Sequence, residues 1–170
     1  MERFFNTAGP CRADDHYMLP WAERIPNVEG LIEQKLYFVV HAPRQVGKTT
    51  SFVHLARDLT KRGKYAALLA SCETGQTARA DLDAGVSAVV HNIVSNADYY
   101  LPEELRPPPF DADTIKPESR LFELLRRWSE ACPRPVVLFL DGRATAASDT
   151  ELTDRRLWVN TAQKQDDPDW

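Results

Sequence analysis

The sequence predicts an α/β fold in which helices cover a mostly parallel sheet. Three short apolar segments rich in β-branched and aromatic residues alternate with longer segments whose apolar residues recur at helical spacing. Strands that are apolar throughout indicate burial on both faces, as in parallel sheets between layers of helices. The 170 residues suit one domain with a hydrophobic core, and 43% hydrophobic with 27% charged residues is ordinary for a globular protein.

The first strand–helix unit spans residues 36–63. The segment LYFVVHAP, residues 36–43, predicts a buried strand, and a short helix is expected before it, within residues 24–34. From Gly47 onwards the apolar residues lie on one helical face, and a basic turn followed by glycine, residues 61–63, ends that helix.

The remaining elements continue the alternation. In chain order they are a strand at 65–73, a helix around 86–94, a proline-rich loop at 101–117, a helix at 118–131 and a strand at 135–141. Residues 142–170 are polar and mostly aperiodic, so we expect an irregular tail there. The order of strands and helices predicts an α/β layer fold.

The segment HAPRQVGKTT, residues 41–50, joins the first strand to its helix and satisfies the P-loop pattern, with Ala42 in the first glycine position. Backbone amides of such a loop, together with the helix N-terminus, bind a polyphosphate. Gly47 permits close approach of the backbone, Lys48 supplies a cation between the β- and γ-phosphates, and Thr49 supplies a hydroxyl for magnesium. The residues expected to contact the nucleotide are Pro43, Arg44, Gln45, Val46, Gly47, Lys48, Thr49 and Thr50. Thr50 is assigned to helix packing rather than to a second bond to the metal.

Two carboxylates are candidate catalytic residues. Asp141 ends the third strand, where a P-loop protein needs an acid to hold a magnesium-bound water together with Thr49. Glu73 ends the second strand and should lie on the same sheet edge, where it could orient water; the alternative is that it caps the following loop. For Asp141 the alternative is a turn aspartate before Gly142.

The combination of FFNTAGP, HYMLP, YFVVHAPRQVGKTT and VVLFLD resembles the bacterial AAA-like P-loop ATPases over residues 3–141. The resemblance implies a three-layer P-loop NTPase sandwich, ATP as the nucleotide and magnesium as cofactor. It implies an N-terminal segment, residues 1–30, that packs near the nucleotide, with His16 and Tyr17 near the adenine. The ATPase core would then span residues 31–142, and residues 143–170 would form the irregular tail.

The chain departs from the family pattern after the third strand. In these ATPases a glutamate that activates water follows the strand-end aspartate, whereas here Gly142 and Arg143 follow Asp141. The resemblance implies the sheet order five, one, four, three, two, so both neighbours of the P-loop strand would come after Asp141. A truncated or frame-shifted end would leave the sheet incomplete there. We therefore expect that residues 156–160 serve as a makeshift fourth strand, that the third strand pairs directly with the first, or that the chain is only marginally folded.

These features predict a protein that binds ATP with magnesium and hydrolyses it weakly or not at all. The alternatives are an active ATPase that drives a conformational change in a partner, a small-molecule kinase, and an interaction module with a vestigial loop. A kinase would need an arginine-bearing lid after the third strand, and Arg155 and Arg156 lack a predicted helix around them.

Composition restricts location and partners. The net charge of −4 gives no strong nucleic-acid signal, and no apolar run could span a membrane. The N-terminus has no signal core, so we expect a cytoplasmic protein. Three widely spaced cysteines without a CxxC pair predict reduced thiols and no zinc site, and the histidines show no ligand spacing. The expected partners are ATP and ADP, with a protein partner or a homo-oligomer as further options.

Overall fold

The computed structural model describes residues 3–6, 11, 15–42, 46–78, 81–143 and 155–162. This part of the chain is mixed α/β, which confirms the predicted class. The helices are α1 Trp21–Arg24, α2 Val28–Glu33, α3 Lys48–Lys61, α4 Leu82–Tyr100 and α5 Pro117–Ala131. The strands are β1 Phe38–Ala42, β2 Ala66–Ser71, β3 Val136–Arg143 and β4 Arg155–Ala162. Short 3-10 turns occupy Glu73–Ala78, Glu103–Leu105 and Ala112–Thr114.

The four strands form one sheet in the order β1-β4-β3-β2. The expected parallel pairing is present between β2 and β3, in which Ser71 lies opposite Asp141. β4 runs antiparallel to both β1 and β3, so the sheet is mixed rather than mostly parallel. The physical reason is the connection between the two strands. Only residues 144–154 separate β3 from β4 in the chain, whereas neighbouring parallel strands need a crossover connection of about a dozen or more residues, usually a helix.

β4 lies between β1 and β3 in the sheet. The expectation of a makeshift strand at 156–160 is confirmed, with bounds Arg155–Ala162, and an irregular tail is therefore wrong for these residues. The alternative in which the third strand pairs directly with the first is wrong, because β4 lies between them. Residues 144–154 and 163–170 of the predicted tail lie outside the described residues.

The sheet is packed on both faces. Alternate residues of β2 and β3, such as Leu68 and Leu138, pack with α4 and α5. The intervening residues, such as Ala67 and Phe139, pack with α2 and α3. Phe52 of α3 stacks obliquely on Phe139, with ring centroids 5.0 Å apart. This burial on both faces explains why β2 and β3 are apolar along almost their whole length.

Several predicted helices differ from the observed ones at their ends. The helix expected within 24–34 is two short helices, because Pro26 interrupts and Asn27 adopts a left-handed φ of 65°. α4 is longer than predicted. Asp81 is its N-cap residue, and the Asp81 side chain accepts a hydrogen bond of 3.0 Å from the amide of Ala84. No helix among the described residues is long and apolar enough to cross a membrane.

The proline-rich segment is held in place by one buried arginine. Arg120 is 6% exposed, and its guanidinium donates to the carbonyls of Ala112 and Ile115 at 2.6 and 2.8 Å. It also pairs with Asp83 and Ser87 of α4. These contacts tie the Ala112–Thr114 turn to α4 and α5.

Candidate functional site

The segment that joins β1 to α3 ends in the backbone conformation that glycine favours. Gly47 lies directly before α3 in the left-handed region, with φ 81° and ψ 23°. A Cβ added there would lie 2.7 Å from Nη1 of Arg24, whose guanidinium donates to the carbonyl of Val46. Arg24, at the end of α1, thus stabilises the end of the loop through its contact with Val46. Pro43, Arg44 and Gln45, which were expected to contact the nucleotide, lie outside the described residues.

Lys48 opens α3 and its side chain folds back over the loop. The ammonium donates to the carbonyl of Ala42 at the end of β1, so the two ends of the segment are tied together. The first-turn amides of α3 have no acceptors within the helix, and the helix dipole places partial positive charge at the same end. The described part of this segment therefore brings a cation and the positive end of a helix dipole together where an anion could bind.

Thr49 and Asp141 meet although 92 residues separate them in the chain. The Thr49 hydroxyl donates to Oδ2 of Asp141 at 2.7 Å, which joins the first turn of α3 to the end of β3. Asp141 is 9% exposed, so its carboxylate is largely shielded from solvent. The pKa of the neighbouring Cys72 thiol is raised, first by burial and second by the negative charge of Asp141.

Glu73 begins the 3-10 turn that follows β2. Its amide donates to Oγ of Ser71 at 3.2 Å, and Ser71 pairs with Asp141 across the sheet. Glu73 is therefore on the sheet edge where the sequence predicted it, with a partly buried side chain. It lines neither of the two cavities described below, and its role in orienting water stays a prediction.

The N-terminal segment forms one wall of a cavity beside the loop. The cavity has a volume of about 460 Å³ and is lined by His16 and Tyr17, by Gly47, and by Thr50 and His54 of α3, among others. His16 is 9% exposed and packs edge-on against Phe4, with ring centroids 4.7 Å apart. Ligand pockets are typically of about 300–1,000 Å³, so this cavity has room for a small ligand.

The N-terminal segment is fixed to α3 by polar contacts. Trp21 donates its indole N–H to Oδ2 of Asp58 at 2.7 Å, and the amide of Cys11 donates to Oγ1 of Thr50 at 3.4 Å. Thr50 thus faces the N-terminal segment, as expected for a packing residue. Trp21, Arg24 and Asp58 were missed from the sequence, because each is an ordinary surface-type residue until the fold brings α1 and α3 together.

A second, smaller cavity was also missed. It has a volume of about 220 Å³ and follows the outer edge of β2 between α3 and α4. Thr49 and Asp141 line one end of it, and its walls are mostly apolar side chains, including Val53, Leu69 and Leu101. The cavity therefore reaches the Thr49–Asp141 pair from the side of the sheet that carries β2.

The donor set at this sheet edge is sparse for a metal bound by protein alone. Among the residues that the structure describes, no three His, Cys, Asp or Glu side chains converge. Mg²⁺ is usually held by one or two carboxylates together with phosphate oxygens and water, and a hydroxyl beside a carboxylate suits that arrangement. A search of protein-family models, of curated proteins and of solved structures finds no match to the chain.

Proposed function

We propose that the chain binds ATP together with Mg²⁺ and hydrolyses it weakly or not at all. The observation that carries the proposal is the 2.7 Å hydrogen bond between Thr49 and Asp141. A hydroxyl from the first turn of a helix and a carboxylate from a neighbouring strand end are the two groups that P-loop proteins use to hold magnesium. We also propose membership of the AAA-like P-loop ATPases and their three-layer architecture, on the sequence motifs and on helices that cover both sheet faces.

The phosphates would bind where α3 begins. Lys48 would exchange the carbonyl of Ala42 for the β- and γ-phosphates, and the first-turn amides would donate hydrogen bonds to other phosphate oxygens. Magnesium would neutralise charge on the same two phosphates, with Thr49 and Asp141 in its coordination or water shell. The loop residues 43–45 remain predicted contacts.

The base would occupy the cavity of about 460 Å³ beside the loop. Its walls combine aromatic surface from Tyr17 with the imidazoles of His16 and His54, which suits a flat heteroaromatic ring. Gly47, the last loop residue before α3, also lines the cavity, so a ligand can fill the pocket and reach the loop at once. The predicted position of His16 and Tyr17 near adenine remains part of the proposal.

Weak hydrolysis follows from the residue after Asp141. Gly142 carries no group that could activate water, and a Cβ added there would lie 3.3 Å from the Cβ of Cys72, which is a tight contact. Binding needs only the cradle and the metal, whereas turnover also needs a positioned base or water-orienting group. Loss of such a group removes rate while leaving affinity largely intact.

The test is a titration with a fluorescent ATP analogue in the presence of Mg²⁺. We expect Lys48→Ala to abolish binding, and the matched control Lys61→Ala, at the far end of the same helix, to bind as the wild type does. Circular dichroism on both variants would establish that they are folded. Equal affinity in Lys48→Ala and Lys61→Ala would defeat the proposal.

The alternative of an active ATPase rests on the position of Glu73 at the sheet edge. If the chain is an active ATPase, the wild type releases more phosphate than one molecule per molecule of protein, and both Glu73→Gln and Asp141→Ala abolish that release. We expect negligible release from the wild-type chain, so that neither variant changes the baseline.

A further inference from the structure

β2 forms one edge of the described sheet, and its backbone amides point alternately toward β3 and away from it. The amide of Ala66, at the start of β2, and that of Cys72, directly after its end, both donate to carbonyls in or beside β3. By alternation, the amide and carbonyl of Leu69 point away from β3. Leu69 also lines the cavity of about 220 Å³ between β2, α3 and α4.

Side chains bind the outward backbone groups on either side of Leu69. Oγ1 of Thr60 accepts from the amide of Ala67 at 3.0 Å and donates to the carbonyl of the same residue at 3.3 Å. Oδ1 of Asn92 accepts from the amide of Ser71 at 2.8 Å. Among the residues that the structure describes, none accepts from the amide of Leu69 or donates to its carbonyl. The open edge of β2 is thus restricted to this one residue.

An opening of one residue restricts what can bind there. A strand from another protein, or from a second copy of this chain, pairs over several residues and would have to displace the side chains of Thr60 and Asn92. In an antiparallel hydrogen-bonded pair, two residues exchange both of their N–H···O=C bonds with each other. A single amino-acid residue of a ligand could therefore satisfy both groups of Leu69. This geometry favours a short peptide over a complete strand.

The walls of the cavity suit an apolar side chain. Val53 and Ala56 of α3 and Leu101, directly after α4, are among the residues that line it. An apolar cavity of roughly 150 Å³ is large enough to bind benzene. The volume of about 220 Å³ therefore has room for a leucine-sized side chain, whose burial would favour binding.

Charges of opposite sign border the cavity at different levels of β2. Arg57 lies one turn before Thr60, which contacts Ala67 near the start of β2. Asp141 lies opposite Ser71, at the end of β2. A peptide that runs antiparallel to β2 has its N-terminus toward Asp141 and its C-terminus toward Arg57. The charges of a peptide with free ends therefore match those of the cavity in the antiparallel orientation.

We propose that this cavity binds a dipeptide with an apolar C-terminal residue. That residue exchanges two hydrogen bonds with Leu69, and its side chain fills the cavity. Its carboxylate lies toward Arg57, and the N-terminal ammonium lies toward Asp141. Such binding does not require a nucleotide, although the Thr49–Asp141 pair borders both this cavity and the proposed magnesium site.

The experiment is an NMR titration of the isotope-labelled chain with alanyl-leucine, without nucleotide or magnesium. A ligand of this size is expected to bind in the millimolar range, so the titration extends to millimolar peptide. The amide signal of Leu69 should shift more than that of Leu68, which faces β3. Alanyl-N-methylleucine keeps both charges and the side chain but has no N–H for the carbonyl of Leu69. It should bind roughly 10-fold more weakly or worse.

Variants at two cations of α3 test the orientation. Arg57 lines the cavity, with its guanidinium 5.5 Å from the ring centroid of Tyr100, whereas Lys61 lies one turn further along and does not line it. Arg57→Ala should weaken binding of alanyl-leucine by roughly 2- to 5-fold, the effect of an exposed ion pair. The same variant should bind alanyl-leucinamide, which lacks the carboxylate, as the wild type does. Lys61→Ala should bind both ligands unchanged.

The outcomes distinguish this site from the proposed nucleotide site. An unshifted Leu69 amide, or equal affinities for alanyl-leucine and alanyl-N-methylleucine, overturns the dipeptide site. An Arg57→Ala variant that loses equal affinity for the carboxylate and the carboxamide ligands, or for neither, overturns it too. A wild type that binds the dipeptide as described but no nucleotide leaves this site standing and overturns the proposed function. The reverse result overturns the dipeptide site alone.

Discussion

Replacement of Thr49 by valine tests the contact at the centre of the site. Valine keeps the shape and nearly the helix propensity of threonine but removes the hydroxyl that donates to Asp141 at 2.7 Å. A hydrogen bond to a charged group contributes about 1.5–3 kcal/mol. Asp141 is 9% exposed, so water replaces the lost donor only in part. We therefore expect the free energy of unfolding to fall by about 2 kcal/mol.

Urea denaturation without nucleotide measures this change. With a typical slope of about 1–3 kcal/mol per molar urea, the midpoint for Thr49→Val should fall by roughly 1 M. Thr49→Ser keeps the hydroxyl and should stay close to the wild type. In an Asp141→Asn background the acceptor is neutral, so the same valine substitution should cost about half as much. A midpoint unchanged by Thr49→Val, or a cost independent of the charge on residue 141, would refute the reasoning.

Two further predictions concern neighbours of the same contact. Gly47→Ala should lower the free energy of unfolding by about 1–2 kcal/mol, because alanine disfavours a positive φ. The double variant Gly47→Ala/Arg24→Ala should lose less stability than the two single variants together, because the 2.7 Å contact between the new Cβ and Nη1 of Arg24 is then absent. Strict additivity in denaturation would contradict the proposed crowding. In Asp141→Asn, the pKa of Cys72 should fall, because a charge that raises it is gone, while burial keeps it above the usual value. Alkylation of Cys72 should then begin at lower pH, as peptide mass spectrometry would detect; identical pH profiles would oppose the assignment.

The central elements were predictable because their signals are local. β2, β3 and α3 each carry their apolar pattern within a few residues, and the observed bounds differ from the predicted ones by one to a few positions. The main error concerns the sheet. Residues 156–160 show β-branched and aromatic character, but their slot between β1 and β3 depends on pairing with strands far away in the chain. From the sequence alone, a fourth strand at this position could be predicted only as one of several possible arrangements.

The candidate site was predictable to a similar degree. Thr49 and Asp141 were paired from the chemistry of magnesium, and the fold brings them within hydrogen-bond distance. Arg24 and the larger cavity were missed, because they depend on the packing of α1 and the N-terminal segment against α3. The smaller cavity was missed because it depends on the packing of β2 with α3 and α4.

The position of β4 has a consequence for biosynthesis. β1 is made early, yet its backbone pairing in the described sheet is with β4 alone, which is translated last of the four strands. While the ribosome adds the intervening residues, the nascent chain holds an unpaired apolar edge that a chaperone or a second nascent chain could capture. The sheet that carries the proposed site would therefore be complete only late, when residues 155–162 have emerged from the exit tunnel.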